Sequence, residues 1–482
     1  MPWPFARIRW RIFSFLFGFG FIAYVQQKSI TVAAERMMPE LGLTQLQIGW
    51  LEQAFVLGYA IFQMPGGVIG QRIGARRTFV VIGLTAFLAT IATPLAPDVF
   101  SGRLLFLVLL AVQVLLGCSQ GAIFPVSAGV FEEWFPPLRW SYVQGLQTMG
   151  LGLGAALTPP LIASLMTGLG WQRALLWSSL PALGLIALWA WYGRNTPREH
   201  PSVSALELAE IAGDVEGRGA EGRAAQGSAL AGDASAGSAS ADSASADSAS
   251  ASRASAGHAS AGRAAPGSAL SLRRLLHLVG DRSVLLLAVS YMCMNYTFYL
   301  LSNWVFLYLV QERKFSLLES GWLAAAPPLA AAIGAGVGGL ATGIACKRFG
   351  PRWGFRAVPV AAMPLAGGLL LLAVNATNPY LAVIALAACF GCVELTEGAF
   401  WGAGMTVGRG DTMSVCGFMN TGGNLGGIIS IPIVAYFSGR HLWFAAFLIG
   451  AGFALISAVA WLGIDVAPDA AVRGDEVPGT GT

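Results

Sequence analysis

The sequence predicts an all-α membrane protein: twelve transmembrane helices arranged as two pseudo-symmetric six-helix halves. Three observations carry that expectation. Of the 482 residues, 55% are hydrophobic and 11% charged, whereas soluble domains carry about a quarter charged residues. Apolar runs of bilayer-spanning length, about twenty residues at ~1.5 Å each, recur along the chain. The chain also repeats itself. Gly49-Trp50-Leu51 returns as Gly321-Trp322-Leu323 and Gly66-Gly67 as Gly338-Gly339, both 272 positions later. At that offset Gly145, Gly150, Gly154, Pro160 and Trp171 fall on Gly417, Gly422, Gly426, Pro432 and Trp443, and Tyr24 falls on Tyr296. Glycines alone would coincide often in a chain with 61 of them; prolines and tryptophans on the same offset would not. A parallel six-plus-six duplication builds the two halves of a rocking transporter, with a solute site between them near mid-membrane.

The spans follow in order. Basic residues Arg7, Arg9 and Arg11 precede the first, Ile12–Ala34. Ile48–Gly70, Thr78–Ala96, Leu104–Val130, Tyr142–Met166 and Ala174–Trp191 complete the N-terminal half, residues 1–193. Residues 194–272 then turn to alanine, serine and glycine, with almost no large apolar side chain to repay the entropy of ordering, and read as a disordered cytoplasmic linker. Its lone histidine, His258, reads as solvated. Val284–Val310, Leu318–Cys346, Ala357–Val374, Tyr380–Val407, Ser414–Ser438 and Leu442–Ile464 make the C-terminal half, residues 273–482, with a short cytoplasmic tail.

Charge sets the topology. One set of connections holds Arg7, Arg9, Arg11, Arg72, Arg76, Arg77, Arg139, Lys347, Arg348, Arg352, Arg356 and Arg409. The other holds only Arg36, Arg103, Arg173, Arg313, Lys314 and Arg440, so both ends and the linker are expected in the cytoplasm of a multi-pass cell-membrane protein. A net charge of +4 confined to short loops is a topology signal, and no nucleic-acid partner is expected. Cys389 and Cys392 lack a second pair or a nearby histidine, so no zinc site is expected. HExxH, Walker A and a convincing GxSxG elbow are absent, which points away from an enzyme and from a pump driven by ATP. No cofactor is expected, and the partners are a small solute, coupling protons and the bilayer around a monomer.

Family resemblance enters at the loop running from Gly67 through Gln71, Arg72, Gly74 and Arg76 to Arg77. It resembles the signature that the major facilitator superfamily carries between spans two and three, where a glycine, an aspartate and a basic cluster lock the inward gate. Within that superfamily the chain is most similar to the anion:cation symporters, which move sugar acids and other organic anions with protons or sodium. The supporting strings are Ala54-Phe55, Gly58-Tyr59, Gln63, Pro65-Gly66-Gly67, Phe124-Pro125, Trp134-Phe135-Pro136, Phe400-Trp401 and Asn420 to Gly427. The resemblance spans nearly everything but the linker and the two ends, and it implies the major facilitator fold. It also implies substrate contacts at Tyr24, Tyr59, Trp401 and Asn420.

The chain departs from the pattern at several positions. Gln71 stands where the signature has its aspartate, Gln26-Gln27 where the first span has Asp-Arg, and Gln113 and Gln120 where the fourth has arginine and glutamate. Amides keep the reach of the lost groups but do not titrate, so the usual proton-coupled anion mechanism is not expected in the N-terminal half.

The charges left inside spans carry the remaining candidates. Lys28 and Glu52 lie at similar depth in spans one and two. Three readings stand for Lys28: a structural pair with Glu52, a contact for a solute carboxylate that Glu52 releases, or a side chain snorkelling to the interface. Glu394 and Glu397 share a helix face at i, i+3, with Trp401 one turn on. Two carboxylates so placed in low dielectric do not both stay ionised cheaply, which suits a proton carrier; the competing reading is a protonated packing pair. Neutral polar groups expected at the cavity are Gln27, Tyr59, Gln120, Gln147, Asn295, Tyr296, Asn420 and Asn424. The expected function is alternating-access, proton-coupled transport of a small carboxylate, against two alternatives: a solute-only facilitator or exchanger, and a non-transporting sensor that kept the fold.

Overall fold

Hydrocarbon offers a backbone no solvent partner, so each span must close its own hydrogen bonds as a helix. The structure, a computed structural model, describes residues 7–211, 278, 280–315, 323 and 325–466, and among these no strand occurs. Helices α1 (Ile8–Leu41), α2 (Gln45–Ile73), α3 (Ala75–Val99), α4 (Gly102–Gly121), α5 (Ile123–Trp134) and α6 (Trp140–Tyr192) form the first half. Helices α7 (Arg282–Gln311), α8 (Ala326–Asn375), α9 (Pro379–Leu395), α10 (Glu397–Val407), α11 (Thr412–Ser438) and α12 (Trp443–Gly463) form the second.

Twelve spans result because the helices subdivide and join. α6 carries spans five and six and α8 spans eight and nine, each bent at a glycine in the left-handed region, Gly170 (φ 77°) and Gly350 (φ 73°), where a side chain would strain the turn. Span four is α4 plus α5, broken at Ala122; span ten is α9 plus α10, broken at Thr396. The two breaks occupy equivalent places in the two halves. Caps fix the loop ends: Thr44 and Gln47 form a reciprocal capping box at α2, and Asp281 accepts from Ser283 and Val284 at α7. α1 runs past the expected end at Ala34 to Leu41, where Gly42 (φ 66°) stops it. The expected start of span eight at Leu318 lies outside the described residues.

Part of the stretch expected as linker, residues 194–211, is ordered against the first half. Glu207 accepts from the backbone N–H of Ile8 (3.2 Å) and Arg9 (3.0 Å), filling two donors that open α1. Glu210 pairs with Arg7 (2.5 Å) and with the buried Arg9 (2.8 Å). His200 packs edge-on to Tyr192 and Trp134. Paired charges and buried rings anchor this stretch, whereas the alanine-serine composition starts only after it. Residues 212–272 lie outside the described residues.

The halves meet through α2 against α11 and the first arm of α6 against α8. Small residues allow both contacts. A methyl group at Gly67 would overlap the Met413 carbonyl, and one at Gly145 the Ala335 carbonyl. These contacts fall toward the end that carries Arg72: from Gln63 to Gln71 on α2, at Gly129 on α5, and from Leu138, just before α6, to Gly152. No comparable contact joins α1 to α7 among the described residues. Among the described residues the bundle is therefore sealed at its arginine-bearing end and parted at the other.

Candidate functional site

At the floor of the parted side, α2 and α11 are stitched by amides. Asn420 Nδ2 donates to Gln63 Oε1 at 2.6 Å, and Tyr59 lies beside both side chains. Asn424 donates to the Asn420 carbonyl (2.8 Å) and accepts from the Tyr299 hydroxyl (3.0 Å). Tyr24, Tyr59 and Tyr299 sit within electrostatic range of one another near the centre of the bundle. All three nevertheless stay partly exposed, as side chains lining a cavity do.

Span ten supplies the acids. The break at Thr396, whose hydroxyl donates back to the Val393 carbonyl (2.7 Å), puts Glu397 on the first turn of α10. Its carboxylate accepts from the Tyr291 hydroxyl (2.9 Å) and from Trp401 Nε1 (2.7 Å). Trp401 in turn packs against Phe124 of the other half, ring centroids 5.7 Å apart. Glu394, 5% exposed, has no hydrogen-bond or ion-pair partner among the described residues, and no basic group acts on either acid. Two carboxyl groups this close and without a cation do not both remain ionised in low dielectric. The arrangement can therefore hold and release a proton, or hold a cation.

Lys28 stands one helical turn beyond Tyr24, toward the parted end. It makes no ion pair or hydrogen bond among the described residues, although Glu52 is near. Glu52 instead accepts from Thr31 at 2.9 Å. The direct structural pair is thus not formed. Gln27 is half-buried and likewise bonds to nothing described.

Three expected site residues lie elsewhere. Tyr296 is fully buried and its ring stacks on Phe453 of α12 (4.1 Å, 8°), because the cavity stripe on α7 runs Tyr291, Asn295, Tyr299 at four-residue spacing and Tyr296 falls off it. Gln147 donates to Ser127 (2.8 Å) and the Leu16 carbonyl and accepts from Gln144, all inside the first half. Gln120 donates to Gln26 at 3.1 Å, so these two amides also face each other within that half.

The loop expected to gate divides its work. Gln71 Nε2 donates to Asp411 (2.9 Å) and to the Gly410 carbonyl, and its Oε1 accepts from Ser414 (3.0 Å). Glu132 accepts from the Gly410 N–H (3.2 Å). Both clasp the start of α11 from the other half, and Gly67 supplies the close approach. Arg72 is also engaged. Arg76, by contrast, donates to the Ala190 carbonyl, and its backbone N–H donates to Asn195 (2.9 Å), tying α3 to the end of α6 inside one half. Gly74 (φ 85°) makes the turn between α2 and α3, and Arg77 is exposed. Sequence reasoning missed Gln63, Tyr291, Tyr299 and Glu132 as site residues. The four-residue spacing of Tyr291, Asn295 and Tyr299 was the available signal.

The profile of the Major Facilitator Superfamily matches residues 16–408. A probable sulfoacetate transporter of Cupriavidus necator is 28% identical over 421 residues, covering 86% of this chain and 84% of that protein. A hexuronate transporter of Bacillus subtilis is 24% identical, covering 95% and 94%. Among solved structures, a proton:xylose symporter superposes with a TM-score of 0.69 at 11% identity (95% and 96% covered). The Escherichia coli fucose:proton symporter superposes at 0.63 and 14% (95% and 99% covered). These relatives are transporters, not enzymes. With two six-helix halves parted around a central polar site and a profile match over most of its length, the chain belongs to the Major Facilitator Superfamily.

Proposed function

We propose that this protein moves a small carboxylate-bearing solute across the cell membrane together with protons, by rocking its two halves about the site between α2, α7, α10 and α11. The observation that carries the reading is Glu397, buried at the junction of the halves and held by Tyr291 and Trp401 beside an unpaired Glu394. The named substrates of the relatives, sulfoacetate and hexuronate, support an acidic solute. Lys28, with no counter-ion in contact, supports a carboxylate contact. The arginine excess at the sealed end supports a cytoplasmic orientation for it and for both chain ends, so the conformation described is outward-facing. Gln71 and Glu132 on one half and the start of α11 on the other are the gate contacts that must part.

A second reading has its own observation. Gln26 and Gln120 pair through neutral amides where the family resemblance leads one to expect acids, which favours a solute-only facilitator or exchanger. Uptake by the full chain in proteoliposomes separates the two. Symport predicts accumulation above equilibrium that collapses with a protonophore; equilibration unaffected by the protonophore supports the facilitator and overturns proton coupling.

A further inference from the structure

The charges of the central site are not those of a pocket for a plain anion. Glu394 is nine-tenths buried, has no partner among the described residues, and feels no basic side chain. Glu397 adds a second acid less than a helical turn away, already engaged by its two donors. A dianion placed here would meet at least one ionised carboxyl in low dielectric, with no basic side chain acting on that acid to offset it. A cationic group placed here would meet the unpaired carboxyl and, around it, aromatic faces, which attract ammonium groups. The rings in range are Tyr24, which lies near both acids, and Tyr59, which lies near Glu397, with Tyr299 beside them; all three are deep in the bundle yet still partly exposed.

The opposite charge sits on the same helix face one turn away. Lys28 follows Tyr24 by four residues, about 6 Å of axial rise. Its ammonium has no ion pair, and the neighbouring Glu52 is held by Thr31. Gln63 and Asn420, joined at 2.6 Å, set their amides beside the Tyr59 hydroxyl, so the floor between the two charged groups is polar and neutral.

We propose that the solute is a zwitterion, its acid group set against Lys28 and its ammonium set between the tyrosine faces and Glu394. The inference rests on the transport reading above and adds the amine to it. A net-neutral solute with separated charges avoids bringing a bare anion to the span-ten acids: its ammonium meets Glu394 while Glu397 keeps the exchangeable proton.

Counterflow in proteoliposomes of the full chain tests this with a matched series: β-alanine and glycine betaine as zwitterions, propanoate as the anion without an amine, and D-glucarate as a sugar acid. Half-saturation by a zwitterion is expected at a concentration at least about tenfold below that of propanoate. Glu394→Gln should bring the zwitterion-to-propanoate preference down to about one, by weakening the zwitterions and relieving the repulsion on propanoate, and Lys28→Gln should weaken both. Zwitterions no better than propanoate in the unaltered protein, with glucarate carried normally, overturn the zwitterion and leave the transport reading intact. Glu394→Gln weakening propanoate and zwitterions equally also overturns it. Failure of every probe to give saturable counterflow overturns the transport reading and this inference together.

Discussion

Glu397 and Trp401 are separable by substitution because one carries the carboxyl and the other only orients it. Glu397→Gln keeps the shape and can still meet Tyr291, but it cannot exchange a proton. We expect solute exchange between equal pools to continue and uphill accumulation to disappear, read by counterflow and by pH-gradient-driven uptake on the same vesicles. Trp401→Phe keeps the ring against Phe124 and removes the indole N–H at 2.7 Å from the carboxylate. Hydrogen bonds to a charged group contribute about 1.5–3 kcal/mol. The expected loss is therefore roughly tenfold or more in the maximal rate of coupled uptake, with accumulation still protonophore-sensitive. Full coupling in Glu397→Gln would remove this residue from the mechanism.

At the scale of elements, the stretch after α6 acts as a strap across the start of α1. Glu207→Ala leaves the Ile8 and Arg9 N–H groups without their acceptors, and a lost cap costs about 1–2 kcal/mol. The expected result is a lower thermal midpoint in detergent with the maximal uptake rate unchanged; an unaltered midpoint would show that the strap contributes nothing. His200 adds a pH dependence to the same strap. Burial, and then the nearby Arg194, hold its imidazole below the ordinary value of 6.5, and its Nδ1 accepts from the Ser202 N–H (3.2 Å), a bond that protonation breaks. The folded form thus binds fewer protons here than the unfolded one. The contribution is complete above about pH 6.5 and declines as pH falls through the lowered value. His200→Phe should flatten that acid limb of the thermal midpoint.

These elements also show what could be read from the sequence. The spans and their duplication were legible because bilayer length and a repeated offset are one-dimensional signals. Glu394, Glu397, Trp401 and Asn420 stood out because polar groups in apolar helices are few. Helix faces were not legible: a span that is apolar toward both lipid and core loses the periodicity that tells inside from outside. That is why Tyr296 was expected at the cavity in place of Tyr291 and Tyr299, and why the Gln26–Gln120 and Gln147–Ser127 pairs were not foreseen. The strap escaped notice because Glu207 and Glu210 acquire meaning only beside Arg7 and Arg9, some two hundred positions earlier in the chain.

At the scale of the whole molecule, the contacts between the halves are one-sided among the described residues: α2 with α11 and α6 with α8 close the arginine-bearing end, with no comparable contact between α1 and α7. In the transport cycle we propose, a rigid-body exchange of that asymmetry about the Glu397 site carries the solute across. Because Gln71 is neutral, the clasp on α11 does not depend on an ionised acid at that position, and the polar bonds from Gln71 and Glu132 to Gly410, Asp411 and Ser414 hold it in its place. Spin labels on exposed positions of the two halves report the motion directly: Arg77 with Arg348 at the sealed end, and Leu46 with Tyr436 at the parted end. In transport-competent protein, solute and acid together should lengthen the first distance as they shorten the second, with Glu397→Gln biased to one arrangement whatever the pH. Distances at both ends that stay fixed in every condition while uptake proceeds would contradict it.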